Sequence, residues 1–182
     1  MDKESISFEK LKAAADRDLV LRALRASAQA YAPYSGFAVG AAIRMFEGRI
    51  FYTGANFENA AYGVTMCTEV SALAQLHLAG DFNVEMIAVV GHKFAAPGDY
   101  AEVVTPCGRC RQLISEVAQL GNAKMRILCC SGDLQKISEW RVEELLPQAF
   151  GPANLGLAHV WPELRDELRV RTERLIAMHP GF

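Results

Sequence analysis

Apolar positions recur along the chain in two patterns, one with helical spacing and one typical of buried strands. The helical spacing of three to four residues predicts helices over 8–30, 68–80, 107–120 and 161–178. Short apolar runs predict strands over 37–45, 49–55, 85–91 and 124–130. The first two strands form a hairpin around a turn at Glu47 and Gly48. Residues 131–160 are predicted to be mostly irregular, with a short turn near 142–146.

The order of these elements favours an α/β fold. One helix precedes the hairpin, and helices and strands then alternate. Such alternation predicts parallel pairing in part of the sheet, with helices on both of its faces. The helix over 161–178 carries Leu164, Leu168 and Leu175 near one face. We expect it to pack on the domain or on a neighbouring subunit, or to dock a partner.

Composition narrows the class of protein. The chain has 182 residues, 51% of them hydrophobic, and a net charge of −2. No run of Lys and Arg indicates a track for a nucleic acid polymer. We expect no signal peptide, because the first residues carry acids and no apolar h-region. We expect no membrane span, because no apolar stretch approaches about 18 residues. Five cysteines are an odd number, and three of them have metal-ligand spacing, so we expect a reducing cytoplasm.

Cysteines and a glutamate in the pattern C-x-E…P-C-x-x-C carry the chemistry. Cys67, Cys107 and Cys110 can supply three thiolates to one Zn²⁺, and a catalytic zinc typically keeps its fourth position for water. Glu69 stands two residues after the first ligand, near the metal and free to move protons. This pattern is typical of zinc deaminases of nucleobases. The sequence therefore predicts a hydrolytic deaminase.

A structural zinc site is the alternative for these thiols. Such a site needs a fourth thiol or imidazole. None of the four histidines has ligand spacing to a cysteine. Cys129 and Cys130 are adjacent on a predicted strand, so their side chains should point to opposite faces, as core thiols do. Intact Glu69 also argues against a nucleoside sensor without catalysis, because binding alone needs no proton carrier.

Several motifs in fixed order resemble cytidine deaminases of the short, single-domain, three-cysteine type. The similarity runs from about residue 31 to 155 and includes Tyr-Ala-Pro-Tyr-Ser-Gly-Phe at 31–37, Asn-Phe-Glu-Asn at 56–59, Cys-Thr-Glu at 67–69, Pro-Cys-Gly-Arg-Cys-Arg-Gln at 106–112 and Leu-Pro-Gln-Ala-Phe-Gly-Pro at 146–152. The resemblance implies a three-layer α-β-α sandwich with a central mixed five-stranded sheet. It assigns residues 1–155 to the catalytic domain and residues 156–182 to a C-terminal helical extension.

The resemblance also implies how a nucleoside would bind. Asn56 and Glu58 would hold the ribose 3′-hydroxyl, and an amide and a carboxylate can together donate to and accept from it. Phe37 would pack against the nucleoside. The backbone of Thr68 would contact the pyrimidine.

By the same resemblance, two further residues would contribute to the binding sites of neighbouring subunits. By resemblance, Tyr62 would reach a neighbouring subunit's site near the sugar 5′ end, and Phe150 would come from a neighbour to stack on the base. We therefore expect a homotetramer, with a dimer as the alternative if the C-terminal helix blocks one interface.

The chain departs from the family pattern in three ways. Val70 stands where the family has an arginine that hydrogen-bonds the thiolates, and Arg109 is a candidate to replace it. The loop 92–106 is longer than usual. Residues after about 156 lie outside the resemblance. The expected reaction is deamination of free cytidine or deoxycytidine, in pyrimidine salvage. The alternative substrate is a modified cytosine nucleoside, of blasticidin-S type or substituted at C5 or N4. Editing of polynucleotides is disfavoured.

Overall fold

A computed structural model describes residues 3–46, 51–96, 99–121 and 124–179. Its strands are β1 (Ser5–Ile6), β2 (Phe37–Met45), β3 (Phe51–Ala55), β4 (Val84–Lys93), β5 (Arg126–Cys130) and β6 (Ile137–Arg141). Its α-helices are α1 (Ala14–Ser27), α2 (Thr68–Ala79), α3 (Gly108–Leu120), α4 (Val142–Leu145) and α5 (Leu157–Ala177). The predicted turn at Glu47 and Gly48, and the start of the second predicted strand, lie outside the described residues.

The six strands form one mixed sheet in the order β1-β6-β5-β4-β2-β3. Only β4 and β5 pair in parallel among the strands the structure describes, and the other neighbours are antiparallel. A parallel pair needs a crossover connection, and α3 lies in the chain between β4 and β5. The predicted partly parallel sheet is therefore confirmed.

Helices cover both faces of the sheet, which gives the predicted three layers. Successive residues of β4 alternate between two hydrophobic clusters, as the pleat of a strand requires. Ile87 and Val89 pack with α2, α3 and α4, whereas Met86 and Val90 pack with α1 on the other face. Cys129 and Cys130 follow the same alternation on β5, so the prediction of two core thiols on opposite faces is confirmed.

The first helix is shorter than predicted. The chain forms a 3₁₀ turn at Phe8–Lys10, becomes extended near Leu11, and enters α1 only at Ala14. Leu11 is buried in the same cluster as the face of α1, with Phe8 packed against it. Phe8 and Leu11 reach the same core as α1, although they come from a separate turn. Their spacing therefore resembled the start of one continuous helix.

The local pattern predicted four strands and the resemblance implied five, whereas the sheet has six among the described residues. The two strands that the pattern missed are β1 and β6. In β6, Ser138 is buried where an apolar residue would reveal the alternation, and its hydroxyl accepts a hydrogen bond from Trp140 Nε1 at 2.8 Å. β1 contains only two residues, Ser5 and Ile6, which pair with β6. Its position is set by that partner strand, which no local pattern indicates.

The chain divides into two compact units, residues 1–149 and 150–182. The second unit contains a 3₁₀ turn at Pro152–Leu155 and then α5, and Gly156 between them has φ +70°. α5 begins at Leu157, four residues before the predicted start at 161, so Pro162 lies inside the helix. None of the helices described is both long and apolar enough to cross a membrane.

Candidate metal centre

Three thiols converge where two helices begin. Cys67 immediately precedes α2, Cys107 immediately precedes α3, and Cys110 lies in the first turn of α3. The Sγ atoms of Cys67 and Cys107 are 3.8 Å apart, those of Cys107 and Cys110 are 3.5 Å apart, and all three lie within 4.8 Å of one another. Tetrahedral zinc with Zn–S bonds of about 2.3 Å separates its sulfurs by about 3.8 Å. The donor set therefore fits a zinc ion.

The helix starts favour thiolates. The free N–H groups and the positive dipole end of a helix stabilise negative charge. Hydrogen bonds from Cys110 and Cys107 lower the pKa of Cys67 to about 6, against the effect of burial. The hydrogen bond to Cys67, followed by burial, raises the pKa of Cys110. Cys67 therefore ionises before Cys110, and a bound cation would favour the thiolate form of both.

Glu69 lies in the first turn of α2 beside this cluster. The residue is only 4% exposed. Burial raises the pKa of its carboxyl, while hydrogen bonds from its own backbone and from Cys110 oppose that rise. A carboxyl of this kind can hold a proton closer to neutral pH than an exposed glutamate, which suits a general acid and base.

The start of α2 is fixed against β3 by a close approach of backbones. A Cβ on Gly54 would lie 2.4 Å from the Thr68 carbonyl oxygen and 2.6 Å from the Ala72 nitrogen. Thr68 is buried, and its hydroxyl donates to the Gly54 carbonyl at 2.7 Å. The Thr68 side chain thus holds α2 to β3. Because that side chain is engaged, only the backbone of Thr68 is available to a ligand.

Arg111 holds the start of α3, a role that the sequence alone did not indicate. Its guanidinium donates to the Pro106 carbonyl at 2.7 Å, the Leu145 carbonyl at 3.1 Å and the Thr105 hydroxyl at 3.3 Å. It therefore fixes the peptide that precedes Cys107. The available signal was a basic residue one turn after the proline-cysteine pair.

Asn56 holds the start of β2, and Glu58 holds the segment that leads into it. Asn56 accepts from the Val39 N–H at 2.8 Å and donates to the Phe37 carbonyl at 2.9 Å. Glu58 accepts from the backbone N–H groups of Tyr34 and Ser35 at 2.9 and 3.2 Å. Hydrogen bonds, the largest from the Ser35 side chain, lower the pKa of Glu58. The two predicted binding residues are thus brought to one segment.

An open cavity of about 390 Å³ lies beside the segment 58–65, which leads to Cys67. It is lined by Tyr34, Ser35, Glu58, Tyr62 and Thr65. The ring of Tyr62, which is 74% exposed, meets the ring of Tyr34 edge to face at 5.8 Å between centroids.

Thr65 links the cavity to the metal centre. It stands two residues before Cys67, and its carbonyl accepts a hydrogen bond from Arg109 Nη1 at 3.3 Å. The cavity is large enough for a small polar ring compound.

Phe37, Asn56 and Thr68 do not line this cavity. Phe37 starts β2, and its ring meets that of Tyr100 edge to face at 4.9 Å. Phe150 is the first residue of the second unit and is 63% exposed. Val70 is half-buried on α2, and Arg109 is exposed on α3.

Comparisons with known proteins agree with this centre. The family model of the cytidine and deoxycytidylate deaminase zinc-binding region matches residues 13–124, which include all three cysteines and Glu69. The cytidine deaminase of Halalkalibacterium halodurans is 41% identical over 136 residues, which cover 74% of this chain and 94% of that protein. The cytidine deaminase of Mycobacterium tuberculosis is 39% identical over 130 residues, covering 71% of this chain and 84% of that protein.

Solved structures agree as well. The crystal structure of cytidine deaminase from Burkholderia pseudomallei has a TM-score of 0.64 and 34% identity, and the match covers 73% of this chain and 97% of that one. The crystal structure of the Mycobacterium tuberculosis protein has a TM-score of 0.57 and 37% identity, covering 74% and 95%. With its three thiols and buried glutamate inside the matched region, this chain belongs to the cytidine and deoxycytidylate deaminase family.

Proposed function

We propose that this chain deaminates free cytidine and deoxycytidine hydrolytically to uridine and deoxyuridine, with release of ammonia, as a step of pyrimidine salvage. The observation that carries this proposal is the buried Glu69 carboxyl beside a three-thiol cluster whose spacing fits zinc. A structural zinc site would not need the carboxyl. The names of the relatives support cytidine as the substrate.

Cys67, Cys107 and Cys110 would hold the zinc. When bound, zinc lowers the pKa of water toward about 7 and so supplies a hydroxide nucleophile at neutral pH. The three thiolates leave one tetrahedral position for this purpose.

Glu69 moves the protons. It accepts one proton from the attacking water and delivers it to N3 of the ring, while a C4–O bond forms. It then transfers the remaining hydroxyl proton to the amino group, the C4–N bond breaks, and ammonia leaves. The raised pKa of the Glu69 carboxyl helps it to act in both directions, because its protonated form persists closer to neutral pH.

Asn56, Glu58 and Phe37 are the proposed nucleoside-binding side chains, together with the backbone of Thr68. A carboxylate can accept more than two hydrogen bonds, and an amide nitrogen carries two donors. Glu58 and Asn56 can therefore hold the 34–39 segment and also a ribose hydroxyl.

The proposed assembly is a homotetramer in which Tyr62 and Phe150 complete sites across subunit boundaries. Their exposure, 74% and 63%, supports this role. We assign residues 1–155 to the catalytic domain and 156–182 to the extension. The proposed compartment is the cytoplasm, because all five thiols are free.

A modified cytosine nucleoside is the second candidate substrate. The observation that favours it is the contact between Phe37 and Tyr100, because Tyr100 belongs to the long loop after β4. A loop that packs on the proposed nucleoside wall can change which base or sugar substituents fit.

Ammonia release from a panel of nucleosides tests the proposal. The panel contains cytidine, deoxycytidine, 5-methylcytidine, N4-methylcytidine, blasticidin S and adenosine, each incubated with the zinc-loaded chain and with Glu69→Gln as the matched control. We expect turnover of cytidine and deoxycytidine by the wild-type chain alone. Turnover confined to a substituted cytosine would favour the second candidate. Nucleoside binding without ammonia release would overturn deamination.

A further inference from the structure

α5 carries an exposed apolar stripe along most of its length. The stripe positions repeat every three or four residues, and Arg171 occupies the position between Leu168 and Leu175, so all of them lie on one face of the helix. Each is between 43% and 72% exposed: Leu157, Val160, Leu164, Leu168, Leu175 and Met178. An amphipathic helix gains most of its stability by burying such a face. The stripe is therefore a surface that favours a partner.

Charged residues lie on the stripe and along one edge of it. Glu167 and Arg174 are seven residues apart, so they lie on the same edge, about 10 Å apart along the axis. They cannot pair with each other at that distance. Arg171 lies within the stripe and pairs with Glu167 at 3.2 Å.

The order of these charges fits a second copy of α5 in antiparallel orientation. A two-fold axis that sets Leu164 opposite Leu175 of the second copy also sets Glu167 opposite Arg174 of the second copy. The symmetry generates this pair of opposite charges twice. Charges that flank an apolar seam select the partner and its orientation in this way.

A parallel pair would lose these advantages. It would set Glu167 near Thr172 and Arg174 near His179, with no opposite charges. It would also bring Arg171 of both copies to the same level of the seam, where like charges repel. In the antiparallel pair Arg171 meets Leu168 of the second copy, so the two guanidinium groups stay apart.

We propose that α5 pairs with α5 of a second copy of this chain as an antiparallel two-helix interface. The interface uses residues outside the region matched by the deaminase family model, which ends at residue 124. It is independent of the zinc centre and of the proposed reaction.

Disulfide linking in the full-length, zinc-loaded chain tests the pairing. Oxidation of the double variant Leu164→Cys/Leu175→Cys should give a covalent dimer, with a linked peptide joining positions 164 and 175 in mass spectrometry. The two positions are about 16 Å apart along one helix, beyond the reach of a disulfide, so the link must join two chains. Leu164→Cys alone, Leu175→Cys alone and Glu173→Cys on the opposite face are the controls.

The controls should link at least about tenfold more slowly, because no antiparallel partner brings two equal positions together. Absence of the 164–175 link would overturn the proposal. The stripe would then pack on the same chain or on a different partner. Equal linking by the single variants would also overturn it, in favour of a parallel pair.

Charge reversal within the double-cysteine variant tests the orientation. Glu167→Arg alone and Arg174→Glu alone should each slow linking about tenfold, because two attractive pairs become repulsive. Both reversals together should restore the rate to within about threefold. Single reversals without effect, or a combined variant as slow as the singles, would contradict the antiparallel arrangement.

Discussion

At the scale of single residues, the metal centre has to balance negative charge. Three thiolates around Zn²⁺ carry a formal charge of −1. Val70 cannot offset it, whereas Arg109 stands between two of the ligands and ties the start of α3 to Thr65. The positive charge of Arg109 also helps to lower the pKa of Cys67. Arg109 can therefore do part of what an arginine at position 70 would do.

Arg109→Ala should weaken zinc retention about tenfold, a size typical of groups that support metal ligands. Arg109→Lys should keep most of the affinity, because the positive charge remains. Competition with a chromophoric chelator measures both variants. Restoring the family residue with Val70→Arg should rescue Arg109→Ala. If all of these variants retain zinc as wild type does, the helix N-termini alone balance the thiolates.

Glu69→Gln should retain zinc and the fold and lose at least about 100-fold in kcat, since a general acid–base group contributes about 10²–10⁴-fold. Metal analysis and circular dichroism check the first two properties, and ammonia release checks the third. A variant within about tenfold of wild type would mean that another group moves the protons.

At the scale of elements, a buried arginine joins three of them at one end of the sheet. Arg44 on β2 makes two hydrogen bonds of 2.8 Å to Glu85 on β4 and one of 2.9 Å to Asp16 on α1. The Arg44 side chain is only 3% exposed. The same hydrogen bonds from Arg44 lower the pKa of Glu85. This network fixes how α1 lies on the sheet.

Arg44→Met should destabilise the fold by up to about 3–5 kcal/mol, because Asp16 loses its closest cation. The mostly buried Asp16 carboxylate would then keep only the longer ion pair with Arg126, at 3.7 Å. Urea unfolding at pH 7 measures the loss. Lys136→Met is the control, since the Lys136–Glu102 pair is exposed and worth about 1 kcal/mol or less. Equal effects of the two substitutions would contradict a special role for the buried network.

The same network should make the free energy of unfolding depend on pH in the acid range. The folded pKa of Glu85 is below its unfolded value of about 4.3, so its contribution is present above that pH and is lost as pH falls through the folded pKa. Urea unfolding between pH 5 and pH 2 should show this loss for wild type. Glu85→Gln should reduce the slope, and an unchanged slope would assign the acid sensitivity to other carboxyls.

Most elements could be predicted from local pattern, and the failures have physical reasons. α2, α3 and β4 were predicted well because each combines strong periodicity or a long apolar run with clear ends, such as Gly80 after α2. β6 was missed because the buried Ser138 breaks its apolar alternation. β1 depends on a partner more than 130 residues away in the chain, which local pattern cannot indicate.

Some residues of the metal centre and its surroundings could be predicted from local spacing, and others could not. The thiols and Glu69 were predictable because their spacing belongs to two helix starts. The use of Asn56 to hold β2, and of Arg111 to hold the peptide before Cys107, depends on contacts between distant segments.

At the scale of the whole molecule, shared sites can be tested by mixing inactive chains. Glu69→Gln lacks the proton carrier, and Phe150→Ala lacks the side chain proposed to come from a neighbour. If sites are shared, subunit exchange between the two variants should restore about a quarter of the wild-type sites, since each site draws one intact residue from each chain. Ammonia release before and after mixing measures this. No recovery in exchanged assemblies would place both residues in one chain.

The distance in sequence between the thiols has a consequence for folding. Cys67 and Cys107 are separated by 40 positions, so one metal ion closes a long loop that contains α2 and β4. A cross-link of that length removes on the order of 4 kcal/mol of chain entropy from the unfolded state. Bound zinc would therefore stabilise the fold as a cross-link, in addition to its role in the reaction. A copy that loses its metal also loses part of its protection against proteolysis, so the lifetime of this protein should follow the zinc supply of its surroundings.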